Sequence, residues 1–241
     1  MIPRYAAASI AAVMVWICAP LPGQSSAPSI PRLADGHPDL NGVWDRPYVP
    51  DMSKTVKDQQ GPGTLPFTAE GAAIFKAYDA SKFDYTGHCL PPGLTRSVNS
   101  PMPMEIVQTP KRVAFLYEAW SVFHVVPADG REHPKNMEDT WMGTSIGKWD
   151  GDTLVIDTRG FNGKTNLDTV GHPHSSQMRV IERYQRTDAR HLAYEIVIED
   201  PKTYATPWKN SRVFTLMKPG DEIMEYSCEE NNKDLNDGHI K

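Results

Sequence analysis

A histidine in a loop and a carboxylate on the following predicted strand could together carry acid–base chemistry. His174 lies in the loop, and Glu182 follows on a strand face that also carries Val180 and Tyr184. A carboxylate among apolar side chains has a raised pKa unless it is paired, and such groups concentrate at functional sites. We therefore predict that His174 and Glu182 form a catalytic pair. The alternative is that Glu182 meets an arginine on a neighbouring strand and only fixes the register.

Further polar and aromatic residues extend this predicted site. Glu118 and His124 lie on neighbouring predicted strands and complete the catalytic group by positioning the substrate. Arg131 follows the turn Asp129-Gly130 and could bind a ligand carboxylate, although an arginine after a turn is often solvated. The other predicted substrate-binding residues are Trp141, Ser145, Trp149, Tyr184 and Trp208. The competing interpretation places the tryptophans in the core.

The spacing His172-Pro173-His174 could put two imidazoles on one metal ion, with His133 or His124 as a third ligand. No carboxylate completes a known ligand spacing, so we favour a loop in which one histidine bonds a backbone carbonyl. The sequence also lacks a phosphate-binding glycine loop, a dinucleotide fingerprint, an H-E-x-x-H motif and a C-x-x-C pair. We therefore predict neither a metal nor a cofactor.

The stretch Gly143–Gly147, G-T-S-I-G, matches the nucleophile motif G-x-S-x-G. A nucleophile elbow needs a helix after its serine. Here the hairpin signal Asp150-Gly151 follows, and then another strand. We interpret the stretch as a strand in which Ser145 and the two glycines share a face. Small residues at these positions suggest that a backbone or a ligand approaches closely.

The elements that must position these residues are predicted strands. Short runs rich in β-branched and aromatic residues alternate with turn signals from Met104 onward. The predicted strands are Met104–Gln108, Arg112–Glu118, Ser121–Val126, Trp141–Trp149, Thr153–Thr158, Met178–Arg186, His191–Glu199, Ser211–Lys218 and Glu222–Cys228. Almost no helix separates them, which favours an antiparallel up-and-down meander that closes into a barrel, or alternatively a two-layer sandwich.

The first quarter of the chain has a different character. Residues 1–27 have the layout of a secretory signal peptide, with Arg4 before an apolar run and small residues at its end. Residues 28–103 are rich in proline and glycine and predict an irregular collar with a first strand and one short helix that begins after Thr68. This collar forms one domain with the barrel body, residues 104–241.

The net charge and the cysteine content limit which partners and which cellular compartment we expect. The net charge is −5, with no basic block, which argues against nucleic acid and, once the signal is cleaved, against a membrane surface. Cys89 and Cys228 remain after cleavage, and we predict a disulfide between them, with two free buried thiols as the alternative. We therefore expect a periplasmic or secreted protein whose partner is a small molecule.

Several stretches resemble a widespread group of uncharacterised exported bacterial proteins. They are Pro38–Trp44, Asp129–Arg131, Trp141–Thr158, Glu182-Arg183, Asp200-Pro201, Pro207-Trp208 and Glu225–Cys228. This resemblance implies no established activity. The chain departs from the group at Asn166, where the group often has Trp, and near His124, where it often has Arg. In addition, Gly42-Val43-Trp44 is similar to the G-x-W at the entrance of lipocalin-type barrels, which implies a central cavity for one small ligand.

Three functions are compatible with these patterns. The first is cofactor-independent acid–base chemistry of lyase, hydratase, isomerase or hydrolase type on a small molecule inside the barrel. The second is a non-catalytic binding protein for an apolar or aromatic metabolite. The third is a structural component of the cell envelope. We favour the first, because charged residues on otherwise apolar strand faces require an explanation.

Overall fold

The computed structural model describes residues 30–230 and residue 232. It is mainly β, as predicted. The strands are β1 Gly42–Asp45, β2 Gln59–Gln60, β3 Met104–Thr109, β4 Arg112–Tyr117, β5 Val122–Pro127, β6 Thr144–Asp150, β7 Thr153–Arg159, β8 Arg179–Arg186, β9 His191–Glu199 and β10 Trp208–Leu216. The helices are α1 Ala69–Ala77, α2 Ala80–Phe83 and α3 Gly93–Asn99.

Nine strands form one antiparallel sheet that nearly closes into a barrel. Their order is β5-β4-β3-β1-β10-β9-β8-β7-β6, and β2 adds to β10. Strands β3–β5 and strands β6–β10 are each adjacent in chain order, and β1 lies between the two groups, paired with both β3 and β10. Because nine is an odd number, strict alternation brings β5 and β6 to the seam of the barrel in the same direction. No strand ladder joins them within the described residues, so closure depends on other contacts.

Alternation along the strands separates the interior from the surface, as predicted. On β9, Leu192, Tyr194, Ile196 and Ile198 are buried, and the intervening residues are partly exposed. Phe115, Tyr184 and Phe214 are also buried, and the Tyr184 ring contacts both phenylalanines. The interior is thus lined by large apolar and aromatic side chains, which supply most of the hydrophobic stabilisation.

An arginine and a tryptophan join the collar to the barrel. The Arg186 guanidinium lies 5.5 Å from the centre of the Trp44 ring, which belongs to the Gly42–Trp44 stretch. Arg186 donates hydrogen bonds to the carbonyls of Asp39 and Ala189. The Trp44 Nε1 donates to the Leu40 carbonyl at 3.0 Å. The collar is therefore fastened to the barrel through backbone carbonyls.

Three strand predictions differ from the structure. β10 spans Trp208–Leu216 rather than Ser211–Lys218. Glu222–Cys228 is irregular and pairs with no strand among the described residues. Trp141–Gly143 precedes β6 rather than belonging to it. Gly143 has a left-handed φ of +72°, which ends regular pairing, and β7 begins its ladder with β6 at Thr144.

The collar contains more helix than predicted. The predicted helix is α1, and its N-cap Thr68 accepts a hydrogen bond from the Gly71 amide at 3.0 Å. Helices α2 and α3 were not expected. All seven residues of α3 are buried, so this helix is part of the core rather than a surface segment.

The predicted disulfide joins Cys89 to Cys228. It ties the collar to the segment after β10, which is irregular rather than the strand we expected. The predicted signal peptide lies outside the described residues. Among those that are described, no helix has the length and hydropathy to span a bilayer.

Candidate functional site

Strand register assembles a polar cluster inside the barrel. Arg212 on β10 lies directly opposite Tyr194 on β9, and Tyr194 lies opposite Tyr184 on β8. Because inward positions recur every second residue, Glu182 is the next inward side chain of β8 beside Tyr184. The three neighbouring strands therefore bring an acid, two phenols and a guanidinium to the inner surface of one wall.

Glu182 is fully buried, at 0% exposure. The hydroxyls of Tyr184 and Tyr194 each donate a hydrogen bond to its Oε1 at 2.9 Å. No described residue bonds Oε2. Burial raises the pKa of Glu182, while the two tyrosine hydroxyls and the charge of Arg212 oppose that rise. The carboxyl group thus has one oxygen held in place and one oxygen available to a reacting group.

Three buried tyrosines surround this carboxyl group. Burial raises the pKa of Tyr184 and Tyr194, so both remain protonated donors at neutral pH. Tyr117 projects from β4, and burial also raises its pKa, with the charge of Glu182 as a second cause. The Tyr117 hydroxyl has no hydrogen-bond partner among the described residues. It is therefore a second polar group available to a ligand.

Arg212 is buried to 4% exposure. Its guanidinium lies 5.0 Å from the centre of the Tyr194 ring. The Tyr194 hydroxyl also interacts with it electrostatically, but none of the three nitrogens makes a hydrogen bond of normal geometry within the described structure. Burial lowers the pKa of Arg212. An unpaired buried charge is costly, so this guanidinium requires water or a ligand.

Arg46 is a second buried arginine near the cluster, but its contacts are different. It lies 5.2 Å from the centre of the Tyr117 ring, and burial lowers its pKa to about 10. Its two terminal nitrogens donate to four oxygens, namely the carbonyls of Ser97, Val98 and Met102 and the Ser100 hydroxyl. Arg46 therefore anchors the end of α3 to the barrel.

A cleft of about 470 Å³ adjoins the wall that carries this cluster. Tyr194 and Arg212 are among its lining residues, whereas most of the others belong to β2 or to the outward face of β8–β10. The cleft therefore borders the site from the outer side of the wall.

The structure does not join the predicted pair. The His174 Nε2 lies 2.6 Å from the Thr165 hydroxyl, and its Nδ1 lies 3.0 Å from the Ser175 carbonyl. Burial lowers the pKa of His174. No hydrogen bond connects His174 to Glu182 within the described residues. The contact with a backbone carbonyl matches the loop interpretation that we favoured over a metal site.

His124 and Ser145 meet at the seam between β5 and β6. The His124 Nε2 lies 2.5 Å from the Ser145 Oγ, which in turn lies 2.7 Å from the Thr158 hydroxyl. Burial lowers the pKa of His124 to about 4, so its imidazole is neutral at neutral pH. The three side chains form a hydrogen-bonded chain across the gap in the sheet.

The G-x-S-x-G stretch therefore lies on a strand, as interpreted. A Cβ on Gly147 would lie 3.0 Å from a Val126 methyl and 3.3 Å from the Pro127 carbonyl. The predicted close approach of another backbone is thus the end of β5. The Gly130 amide also donates to the Gly147 carbonyl at 3.2 Å. Serine and glycine here close the barrel, and the serine is not on a nucleophile elbow.

Glu118 follows β4 and faces the C-terminal segment rather than the cluster. Its Oε2 accepts a hydrogen bond from the Met224 amide at 3.0 Å. Three residues later, the Ser121 hydroxyl donates to the Tyr226 carbonyl at 2.9 Å. Glu118 thus holds the segment after β10 against the barrel.

The predicted substrate-binding residues are dispersed. Tyr184 and Ser145 point inward, whereas Arg131 and Trp149 line a groove of about 580 Å³ on the outer surface. Arg131 there forms an ion pair with Asp129 at 2.5 Å. The remaining two are loop Trp141, near Lys164, and Trp208, whose ring contacts Tyr204 edge-on.

One group of side chains could hold a metal ion. Asp51, Asp168 and His172 offer ligand atoms within 4.8 Å of one another. The Asp168 carboxylate accepts from the Met52 amide at 2.8 Å and lies 2.6 Å from the His172 Nδ1. The His172 amide donates to the other Asp168 oxygen at 3.2 Å, so both oxygens of Asp168 are already hydrogen-bonded and this carboxylate links two loops.

Sequence reasoning missed Arg212, Tyr194 and Tyr117 as site residues. A signal was present for Arg212, because the predicted strand Ser211–Lys218 alternates and places Arg212 on the same face as Phe214. No comparable signal marks Arg46, since its role depends on the unexpected helix α3. Comparison with known proteins adds no candidate residue: no protein-family model matches this chain, and no curated protein matches it significantly.

Proposed function

We propose that this chain is a small-molecule-processing β-barrel protein and that Glu182 performs cofactor-independent acid–base chemistry in the barrel interior. The observation that supports the proposal most strongly is the arrangement of the Glu182 carboxyl group. Two tyrosine hydroxyls hold Oε1, and Oε2 has no partner among the described residues. A group built only to fix strand register would have both oxygens bonded.

Each element of the cluster has a role in such chemistry. The Oε2 of Glu182 takes a proton from a C–H or O–H group of the substrate and returns it to a different atom. The electron pair left behind moves onto a substrate oxygen, where the Tyr117 hydroxyl and the Arg212 guanidinium stabilise the negative charge. Tyr184 and Tyr194 are positioning residues. In isomerisation the proton returns to another carbon; in elimination it goes to the departing oxygen group, which leaves as water or an alcohol; hydration is the reverse of elimination, so none of these reactions needs an oxidant or a reductant.

We further propose that the protein works outside the cytoplasm, in the periplasm or after secretion. The disulfide between Cys89 and Cys228 supports this location, because such bonds persist in oxidising compartments. The signal-like pattern of residues 1–27 supports it independently.

The test compares two carboxylate-to-amide substitutions on the same sheet. Protein comprising residues 28–241 is incubated with a metabolite extract, and mass spectrometry identifies compounds that are retained or transformed. We expect Glu182→Gln to abolish the transformation. Glu195→Gln changes an outward carboxylate of β9 that is paired with Lys209, and it should leave turnover intact. Undiminished turnover by the Glu182→Gln protein would refute the assignment.

A non-catalytic binding protein is the second candidate. The rings of Phe115, Tyr184 and Phe214 beside Glu182 would suit an aromatic ligand. This candidate predicts that a compound co-purifies with the protein and is released unchanged on unfolding.

A further inference from the structure

We infer that the barrel interior recognises a small organic carboxylate, whose anionic group binds the Arg212 guanidinium. The inference deepens the proposed function, since it concerns the same interior. It depends on Arg212, however, and not on proton transfer by Glu182.

The charge balance of the cluster leads to this assignment. Arg46 and Arg212 contribute two positive charges, and the charge of Glu182 acts on Arg212. Even with Glu182 ionised, the cluster carries a net positive charge inside the barrel. A buried charge without a partner is strongly unfavourable, and a monoanionic ligand would neutralise it. A dianion would be opposed by the neighbouring carboxylate.

Hydrogen bonding distinguishes the two arginines. The terminal nitrogens of Arg46 donate to four protein oxygens, whereas all three nitrogens of Arg212 lack partners among the described residues. A planar guanidinium with free N–H groups matches the two oxygens of a carboxylate. The anion-binding group is therefore Arg212, and Arg46 supplies additional positive charge.

The surroundings indicate an organic ligand rather than an inorganic ion. Tyr184, Tyr194 and Phe214 form successive ring contacts beside Arg212, which suits an apolar or aromatic body. The free hydroxyl of Tyr117 offers a hydrogen bond from β4. A small ligand with a carboxylate at one end and a ring or a short chain at the other would use all of these groups.

The experiment measures binding rather than turnover. Ligand-free protein is prepared by unfolding, dialysis and refolding, and binding is then followed by calorimetry and native mass spectrometry. The organic anions are acetate, benzoate, phenylacetate, 4-hydroxyphenylacetate and octanoate. Benzamide and phenylacetamide serve as neutral analogues of matched shape. Chloride, sulfate and phosphate form the inorganic arm.

We expect at least one carboxylate to bind more tightly than its amide and than every inorganic anion. Arg212→Met should weaken that binding at least roughly 30-fold, as expected for loss of one partner of a buried charge pair. Arg212→Lys, which keeps the charge without the planar fork, should give an intermediate loss. The control is Arg183→Met on the outward face of β8, which should bind like wild type. Circular dichroism checks that each variant folds.

Several outcomes would overturn the inference. They are equal binding of amides and acids, binding of inorganic anions only, binding that persists in Arg212→Met, or no binding by any member of the panel. Glu182→Gln separates this inference from the proposed function. If carboxylates bind but neither the wild-type nor the Glu182→Gln protein transforms any compound, the inference stands and the acid–base proposal is rejected. If uncharged compounds are transformed in a Glu182-dependent way and no carboxylate binds, the acid–base proposal stands and the inference is rejected.

Discussion

Substitution by methionine should change the free energy of unfolding in opposite directions at the two buried arginines, because only one of them is hydrogen-bonded. Arg212→Met removes a desolvated charge that has no hydrogen-bond partner among the described residues. Methionine has a similar length and suits the neighbouring rings. Because replacing buried charges by apolar side chains of similar volume often stabilises proteins by about 1–4 kcal/mol, we expect ligand-free Arg212→Met to be more stable by roughly that amount.

Arg46→Met removes the same chemical group from a different environment. The substitution leaves four oxygens at the end of α3 without their donor. Leaving buried acceptors unpaired is expensive, and we expect a loss of about 3–5 kcal/mol. The two variants should therefore differ by more than about 4 kcal/mol, which is a large part of the stability of an ordinary domain.

Urea unfolding at pH 7, followed by tryptophan fluorescence on ligand-free protein, measures this difference. Arg183→Met on the outer face is the reference and should change stability by less than about 0.5 kcal/mol. If Arg212→Met were destabilised by more than about 1 kcal/mol with native circular dichroism, the guanidinium would be a structural group that the fold needs, and its proposed role in anion binding would lose its basis.

Three other substitutions test the seam and the disulfide. Burial lowers the pKa of His124 to about 4 in the folded protein, from an ordinary value of 6.5. The stabilising contribution of the neutral imidazole is therefore complete above pH 6.5 and is lost as the pH falls toward 4. When the free energy of unfolding is titrated against pH, His124→Asn should lack about 3 kcal/mol of this acid-induced loss. Gly147→Val places side-chain atoms against the Pro127 carbonyl, and denaturant midpoints should show a loss of about 1–3 kcal/mol, whereas an unchanged midpoint would mean that β5 and β6 separate freely. Replacing Cys89 and Cys228 together by serine opens a loop of 139 residues and should cost about 2–5 kcal/mol, and wild-type protein in reductant should match the double variant.

Alternation and turn chemistry predicted most of the barrel. The strand His191–Glu199 was predicted with the same bounds as β9, because four inward apolar residues fix its period unambiguously. The segment Glu222–Cys228 has a similar composition but is not a strand. Whether a strand-like segment pairs depends on long-range contacts that its own sequence does not encode.

The candidate site was less predictable than the fold. Glu182 was identified because a carboxylate on an apolar face is conspicuous in the sequence. His174 was paired with it through proximity along the chain, but the barrel sends the loop and the strand interior to different places. Arg212 meets Tyr194 through strand register, which depends on long-range pairing and is not encoded near either residue.

The strand order divides the sheet into two local arrays. The group β3–β5 and the group β6–β10 each pair strands that follow one another along the chain, so these pairings need little chain entropy. The ladders of β1 with β3 and β10, and of β2 with β10, link residues far apart in sequence. Since non-local pairing is slow, we expect two hairpin arrays to form early and ring closure through β1 to limit the rate at which the native protein appears.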